Sequence, residues 1–148
     1  MPQSYTALFY HIVFATKHRE LTITPDIRER LYAYLGGVVR GEGGILLAAG
    51  GMPDHVHLLV RLNQTRAVAD VMRVVKSNSS KRSHDTFDTN VWWQDGYGAF
   101  TVGPSSLTDV KAYIAGQEEH HKGETFLSEF PRLLAEHGIE YNEKYLWE

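Results

Sequence analysis

In the segment His55–Leu62 every second residue, Val56, Leu58, Val60 and Leu62, is a branched hydrophobe, and these alternate with His55, His57, Leu59 and Arg61. Successive side chains of a β-strand point to opposite faces, so the segment reads as a strand with one wholly apolar face that a core must cover. Both histidines fall on the other, half-polar face. The alternation itself argues against their burial in that core.

The flanking sequence supplies elements to match. Tyr5–Thr16 is a dense run of aromatic and branched residues, read as a central strand covered on both faces. Thr24-Pro25-Asp26 is a helix start. Ile27, Leu31, Leu35 and Val38 follow at helical spacing until Gly41, Gly43 and Gly44. Ile45–Ala49 is a second strand, and Gly50–Asp54 turns it into His55–Leu62. A helix is expected from about Thr65 to Ser80, and a fourth strand at Tyr97–Val102. Ser106-Leu107-Thr108-Asp109 resembles a capping box that opens a helix to about Lys122. A last helix is expected between Thr125 and His137, with a kink or restart at Pro131 and a stop at Gly138. This order predicts a ferredoxin-like α/β (α+β) fold: an antiparallel sheet with helices on one face, plus C-terminal helices. At 148 residues the chain fits one domain, 1–148.

With 43% apolar and 22% charged residues the composition is that of a globular protein. The absence of cysteine excludes disulfides, thiolate zinc sites and a cysteine nucleophile. The first residues lack a basic stretch, and their apolar run is broken by His11, Lys17, His18 and Arg19. Neither a signal peptide nor a membrane span is expected, and the protein is read as cytoplasmic. The net charge is −3, yet Arg66, Arg73, Lys76, Lys81 and Arg82 crowd one segment against the single acid Asp70. Such a segment is either a solvated helix face or a local phosphate footprint.

Two further features carry chemistry. His55 and His57 stand about 7 Å apart along one strand face, close enough for both imidazoles to reach one metal ion. Tyr113 and Gln117 share a helix face at i and i+4, and His120 and His121 follow as additional possible ligands. A phenol with a pKa near 10 is a weak nucleophile at pH 7 unless a cation helps it ionise.

Taken in order along the chain, several stretches resemble one family. Gly51-Met52-Pro53-Asp54-His55-Val56-His57-Leu58-Leu59-Val60 is similar to the His-hydrophobe-His strand of the small HUH single-tyrosine transposases of insertion sequences, the insertion-sequence-two-hundred-like kind. Tyr10–Lys17, Trp93–Phe100, the run from Tyr113 to His121 and the ending Gly138–Trp147 resemble it too. The resemblance implies that His55, His57 and Gln117 hold a divalent metal, Mg²⁺ or Mn²⁺, and that Tyr113 is the nucleophile. It implies a homodimer that cleaves and rejoins single-stranded DNA next to hairpins through a 5′-phosphotyrosine, with active sites shared between subunits. Three neutral ligands would leave the ion its full charge and make it weakly held until a phosphate completes the shell. The basic segment then becomes the DNA contact.

Two other readings share parts of this pattern. A non-catalytic RNA-recognition-like module has the same strand and helix order, but Asp95-Gly96-Tyr97-Gly98-Ala99-Phe100 only approximates its base-stacking strand. A metal-dependent phosphoesterase would use His55, His57 and a carboxylate such as Asp54.

Overall fold

The computed structural model describes residues 3–87 and 89–147. Strands β1 (Leu8–Ala15), β2 (Ile45–Met52), β3 (His55–Leu62) and β4 (Gly98–Val102) form one antiparallel sheet in the order β2-β3-β1-β4. Helix α1 (Pro25–Gly41) connects β1 to β2 and α2 (Val68–Thr86) connects β3 to β4, which is the ferredoxin-like arrangement the element order predicts. Then follow α3 (Leu107–Ala115), α4 (Gln117–His120), α5 (Phe126–Glu136) and α6 (Glu143–Leu146).

The sheet is covered on both sides. On one, Ile12, Phe14, Val56, Leu58, Val60 and Leu62 pack against Ile27, Leu31, Leu35 and Val39 of α1 and Val71, Met72 and Val75 of α2. Each such side chain contributes about 1.5–3 kcal/mol when fully buried, so this layer dominates the stability. On the other side α3 lies against β2 and β3. There α5 seats Phe126, Phe130, Leu133 and Leu134 on Val13, Ala15 and Phe100. This second layer overturns one expectation. His55 and His57 do lie opposite the apolar face, but both are completely buried, because α3 to α5 roof the face that the strand alone leaves half-polar.

Other differences concern helix ends. α2 begins at Val68 and runs on to Thr86. The helix expected to reach Lys122 stops at Ala115, kinks at Gly116 and resumes as α4. Ser106 makes no capping bond, and a 3₁₀ turn at Pro104–Ser106 feeds the chain into α3 instead. Pro131 does not interrupt α5. The carbonyl deprived of a partner there is that of Leu127, which sits on the exposed side where water can satisfy it. Gly138, at φ +67°, closes α5: its N–H donates to Ala135 O and that of Ile139 to Leu134 O, the paired bonds of a Schellman turn.

Gly50 decides how closely α3 approaches. It stands opposite His57 in the β2–β3 register, and a Cβ there would collide with the carbonyl oxygen of Ile114, next to Tyr113. Gly50→Ala must therefore push α3 off the sheet. We expect a loss of about 1–3 kcal/mol in denaturant unfolding, as for an overpacked core. Any activity that needs Tyr113 beside His57 should fall further than stability accounts for. An unchanged unfolding midpoint would show that α3 is not seated on β2.

Candidate active site

Strand β3 presents His55 and His57 on adjacent same-face positions, and the roofing helices bring polar groups onto them. His55 Nε2 lies 3.2 Å from Gln117 Oε1 at the start of α4. His121 Nε2 lies 2.9 Å from the same oxygen. From α5, Glu129 Oε1 reaches His57 Nε2 at 3.1 Å, His121 Nε2 at 3.1 Å and His55 Nε2 at 3.4 Å. Five donor atoms thus crowd one point. Adjacent ligands of an octahedral ion at 2.0–2.1 Å stand about 3 Å apart, so the spacing fits a bound divalent cation. His55, His57, His121 and Glu129 form a group that can hold a metal ion.

The rings are also held from behind. His55 Nδ1 bonds Asp54 Oδ1 at 2.8 Å and His57 Nδ1 bonds His11 Nε2 at 2.9 Å. Such outer partners fix the ring orientation and leave each Nε2 facing the point where the five atoms converge. Asp54, considered above as a ligand, holds this supporting position instead.

Tyr113 comes down from α3 onto the same cluster, its ring 5.7 Å from that of His57. Its hydroxyl donates to Glu129 Oε2, and Arg132 Nη2 donates to it at 3.0 Å. Arg132 is itself held by Glu124, with Nε–Oε2 and Nη2–Oε1 both 2.9 Å, and by Glu136 at 2.7 Å. The chain's own tyrosine therefore meets its own histidines.

Glu129, Arg132 and His11 are absent from the candidates nominated by sequence. The signal for Glu129 is present nonetheless: it occupies one of the buried positions Phe126, Glu129, Phe130, Leu133 and Leu134. A carboxylate in the apolar stripe of a helix is costly unless something binds it. With Glu129 in the cluster, the group that can hold a metal ion places a carboxylate beside the imidazoles.

Burial opposes ionisation of Glu129, but hydrogen bonds from His55, His57 and Tyr113 overcome it and hold the carboxyl far below its usual range. Burial, followed by Glu129, pushes the Tyr113 phenol up. Burial lowers His57 to about 4. Burial, then the neighbouring His57, lowers His11 to about 3. For His55, burial is outweighed by Asp54 and Glu129, and its pKa rises.

The unfolded chain protonates His11 and His57 near pH 6.5, whereas the folded chain resists until about 3 and about 4. Their stabilisation is complete above pH 6.5 and is lost as pH falls from there towards 4. His55 has the opposite sign, full below pH 6.5 and lost above its raised value, and offsets only part. The metal-free protein in EDTA should show a melting temperature that declines steadily from pH 7 to pH 5. A flat or rising profile would contradict the neutral, buried pair.

The basic residues take separate places on and before α2, across the sheet from the histidines. Arg66 precedes the helix and pairs with Glu42 at 3.3 Å, so it does not share a helix face with Arg73 and Lys76. Arg73 sits beside Asp70 at 3.5 Å, exposed. The Lys76 ammonium, its pKa lowered to about 8 by burial, is held by the carbonyls of Gln94 and Gly96. Arg82 covers the Tyr34 ring at 5.2 Å. Arg73, Lys81 and the half-exposed Trp92 line one groove.

The family model for IS200-like transposases matches residues 4–117. The chain belongs to that family. The ISDra2 transposase TnpA of Deinococcus radiodurans is 24% identical over 119 residues, covering 76% of this chain and 85% of that protein. The transposase for insertion sequence element IS200 of Salmonella typhimurium is 28% identical over 130 residues, covering 82% and 85%. Among solved structures, a transposase-like protein from Deinococcus radiodurans R1 superposes with a TM-score of 0.63 at 25% identity, covering 79% of this chain and 96% of that one. A REP-associated tyrosine transposase bound to a REP hairpin has a TM-score of 0.62 at 14% identity, covering 82% and 73%, and shares the fold. This IS200-like chain is thus a transposase-family enzyme. The family match ends at Gln117, so Glu129 and Arg132 lie beyond it. Among the described residues no helix is long and apolar enough to cross a membrane.

Proposed function

We propose that the protein, acting in the cytoplasm as one domain, cleaves and rejoins single-stranded DNA beside a hairpin through a 5′-phosphotyrosine on Tyr113. One observation carries this reading: Glu129 touches the Tyr113 hydroxyl with one oxygen and the His55, His57 and His121 imidazoles with the other. Nucleophile and metal pocket are thereby joined by a single carboxylate.

His55, His57 and Gln117, with His121 and Glu129 beside them, would hold Mg²⁺ or Mn²⁺. The imidazole-rich set suits Mn²⁺ better of the two. When bound, such an ion supplies Lewis-acid polarisation of the scissile phosphate. The chain's own groups do the rest. Glu129 orients the phenol and is the nearest acceptor for its proton, and Arg132 stabilises the oxygen as the proton leaves. The Tyr113 Oη–P bond forms, the P–O3′ bond breaks, and the departing 3′-oxygen takes up a proton. The phosphoester is retained, so a second 3′-hydroxyl can reverse the step without ATP.

DNA backbone contacts fall to Arg73 and Lys81, with Trp92 available to stack a base. Lys76, already engaged by carbonyls, and Arg66 and Arg82, engaged by Glu42 and Tyr34, are secondary contacts. The test is a denaturing gel of the protein with single-stranded DNA flanking its own gene. A covalent adduct that EDTA prevents supports the reading. Release of product without adduct favours the phosphoesterase, and tight binding without cleavage favours the non-catalytic module.

The active form is proposed to be a homodimer in which each chain completes its own site. Mixing Tyr113→Phe protomers with His57→Ala protomers should then restore no cleavage in verified heterodimers. Recovery on mixing would show that the tyrosine helix is exchanged between subunits.

A further inference from the structure

Beyond Tyr113 the space between α3 and α5 opens into a cavity of about 390 Å³ floored by β4. None of His55, His57, Gln117 and Glu129 lines it, so it is separate from the metal pocket; Tyr113, Arg132 and His11, whose Nε2 lies 2.9 Å from His57 Nδ1, line it on that side. We propose that this cavity is a subsite for one deoxynucleoside, the one on the 3′ side of the scissile phosphate that stays attached to Tyr113. The proposal rests on the phosphotyrosine reading above.

Three observations lead there. First, position: in an in-line displacement the departing 3′-oxygen lies opposite the attacking Tyr113 oxygen. Only the retained nucleoside remains tethered on the tyrosine side, where this cavity begins. Second, size and walls: the volume falls within the range of about 300–1,000 Å³ usual for small-molecule sites. Phe100, Val102, Val110 and Leu133 give apolar surface to the faces of a base. His137, stacked on Phe100 at 4.2 Å with an interplanar angle of 17°, extends that flat surface outward.

Third, charge changes sign along the cavity. Arg132 stands at the Tyr113 end, where a phosphate belongs. Asp109 precedes Tyr113 by one helical turn and lines the cavity, as does Glu136, which is ion-paired to Arg132 at 2.7 Å. The Asp109 carboxylate repels a second phosphate and accepts hydrogen bonds from exocyclic amino groups of a base. The chain can therefore enter phosphate last and base first. Adenine, cytosine or guanine should fit better than thymine, whose exposed ring edge offers a carbonyl in place of the amino group.

The test compares wild type with Val110→Trp, which fills the cavity, on two oligonucleotides carrying the mapped cleavage site. One is intact and the other abasic at the first position 3′ of the cleaved bond. Val110→Trp should form adduct at least tenfold more slowly than wild type on intact DNA, and within twofold of wild type on the abasic strand. Asp109→Trp, at an exposed position of α3, gives the same comparison should Val110→Trp fail to fold. A variant as fast as wild type on intact DNA, or equally slowed on both strands, overturns the subsite while leaving the phosphotyrosine intact. Absence of any wild-type adduct removes both.

Discussion

Tyr113→Phe is expected to abolish the covalent protein–DNA adduct, with a loss on the order of 10³-fold or more, as when other enzymes lose their nucleophile. The substitution keeps the ring that packs 5.7 Å from His57 and 6.0 Å from His11, and removes only the hydroxyl. Glu129 Oε2 still receives the Gln117 Nε2 hydrogen bond at 3.2 Å, so the buried carboxylate is not stranded. The stability cost should be about 2 kcal/mol, the net worth of the two hydrogen bonds to Glu129 and from Arg132. Three other exposed tyrosines do not stand ready to substitute. Tyr97, Tyr141 and Tyr145 line a different cavity beside Gln94 and Phe130, away from the imidazoles. Adduct yield and thermal unfolding, measured on the same preparation, separate the two effects. An adduct of undiminished yield would move the nucleophile elsewhere, and a large fall in melting temperature would make the hydroxyl a structural group.

How much of this was legible beforehand depends on the range of the interaction. Strand alternation over eight residues is a local property, so it placed His55 and His57 on one face, opposite the core of Val56, Leu58, Val60 and Leu62. Helical spacing over four residues likewise put Tyr113 and Gln117 on one side. Their meeting was not local: Gln117 is 62 residues from His55, and Glu129 is 72 from His57. Family resemblance bridged the first gap, since Gln117 lies within the matched segment. It did not bridge the second. Glu129 lies in a helix whose sequence is dominated by Pro131, a residue that usually marks a break. Only when α5 is drawn as continuous does the carboxylate fall into the apolar stripe. The burial of the two histidines escaped prediction for the same reason, because the cover is contributed by helices that begin about 45 residues or more beyond the end of β3.

Glu129 is where the competing energies are largest, and two substitutions divide them. Burying a carboxylate costs several kcal/mol, and here His55, His57, His121, Gln117 and Tyr113 repay it through hydrogen bonds to both oxygens. Glu129→Gln keeps the shape and one acceptor oxygen but removes the charge. It should fold and lower Mn²⁺ affinity by at least tenfold in calorimetric titration, since a ligand set of imidazoles and amides holds a cation more weakly than one with a carboxylate. Glu129→Ala deletes the acceptor altogether and leaves its partners facing a void. In EDTA it should lose roughly 3–5 kcal/mol, the cost of breaking a buried charge pair by removing one member. Saturating Mn²⁺ should restore part of that stability, because the ion gives the imidazoles a partner and binds only the folded chain. If Glu129→Gln binds Mn²⁺ as tightly as wild type, the carboxylate is not a ligand, and its contact with Tyr113 is its remaining role. If Glu129→Ala is as stable as wild type in EDTA, the histidines are satisfied without it, and the carboxylate does not organise the site.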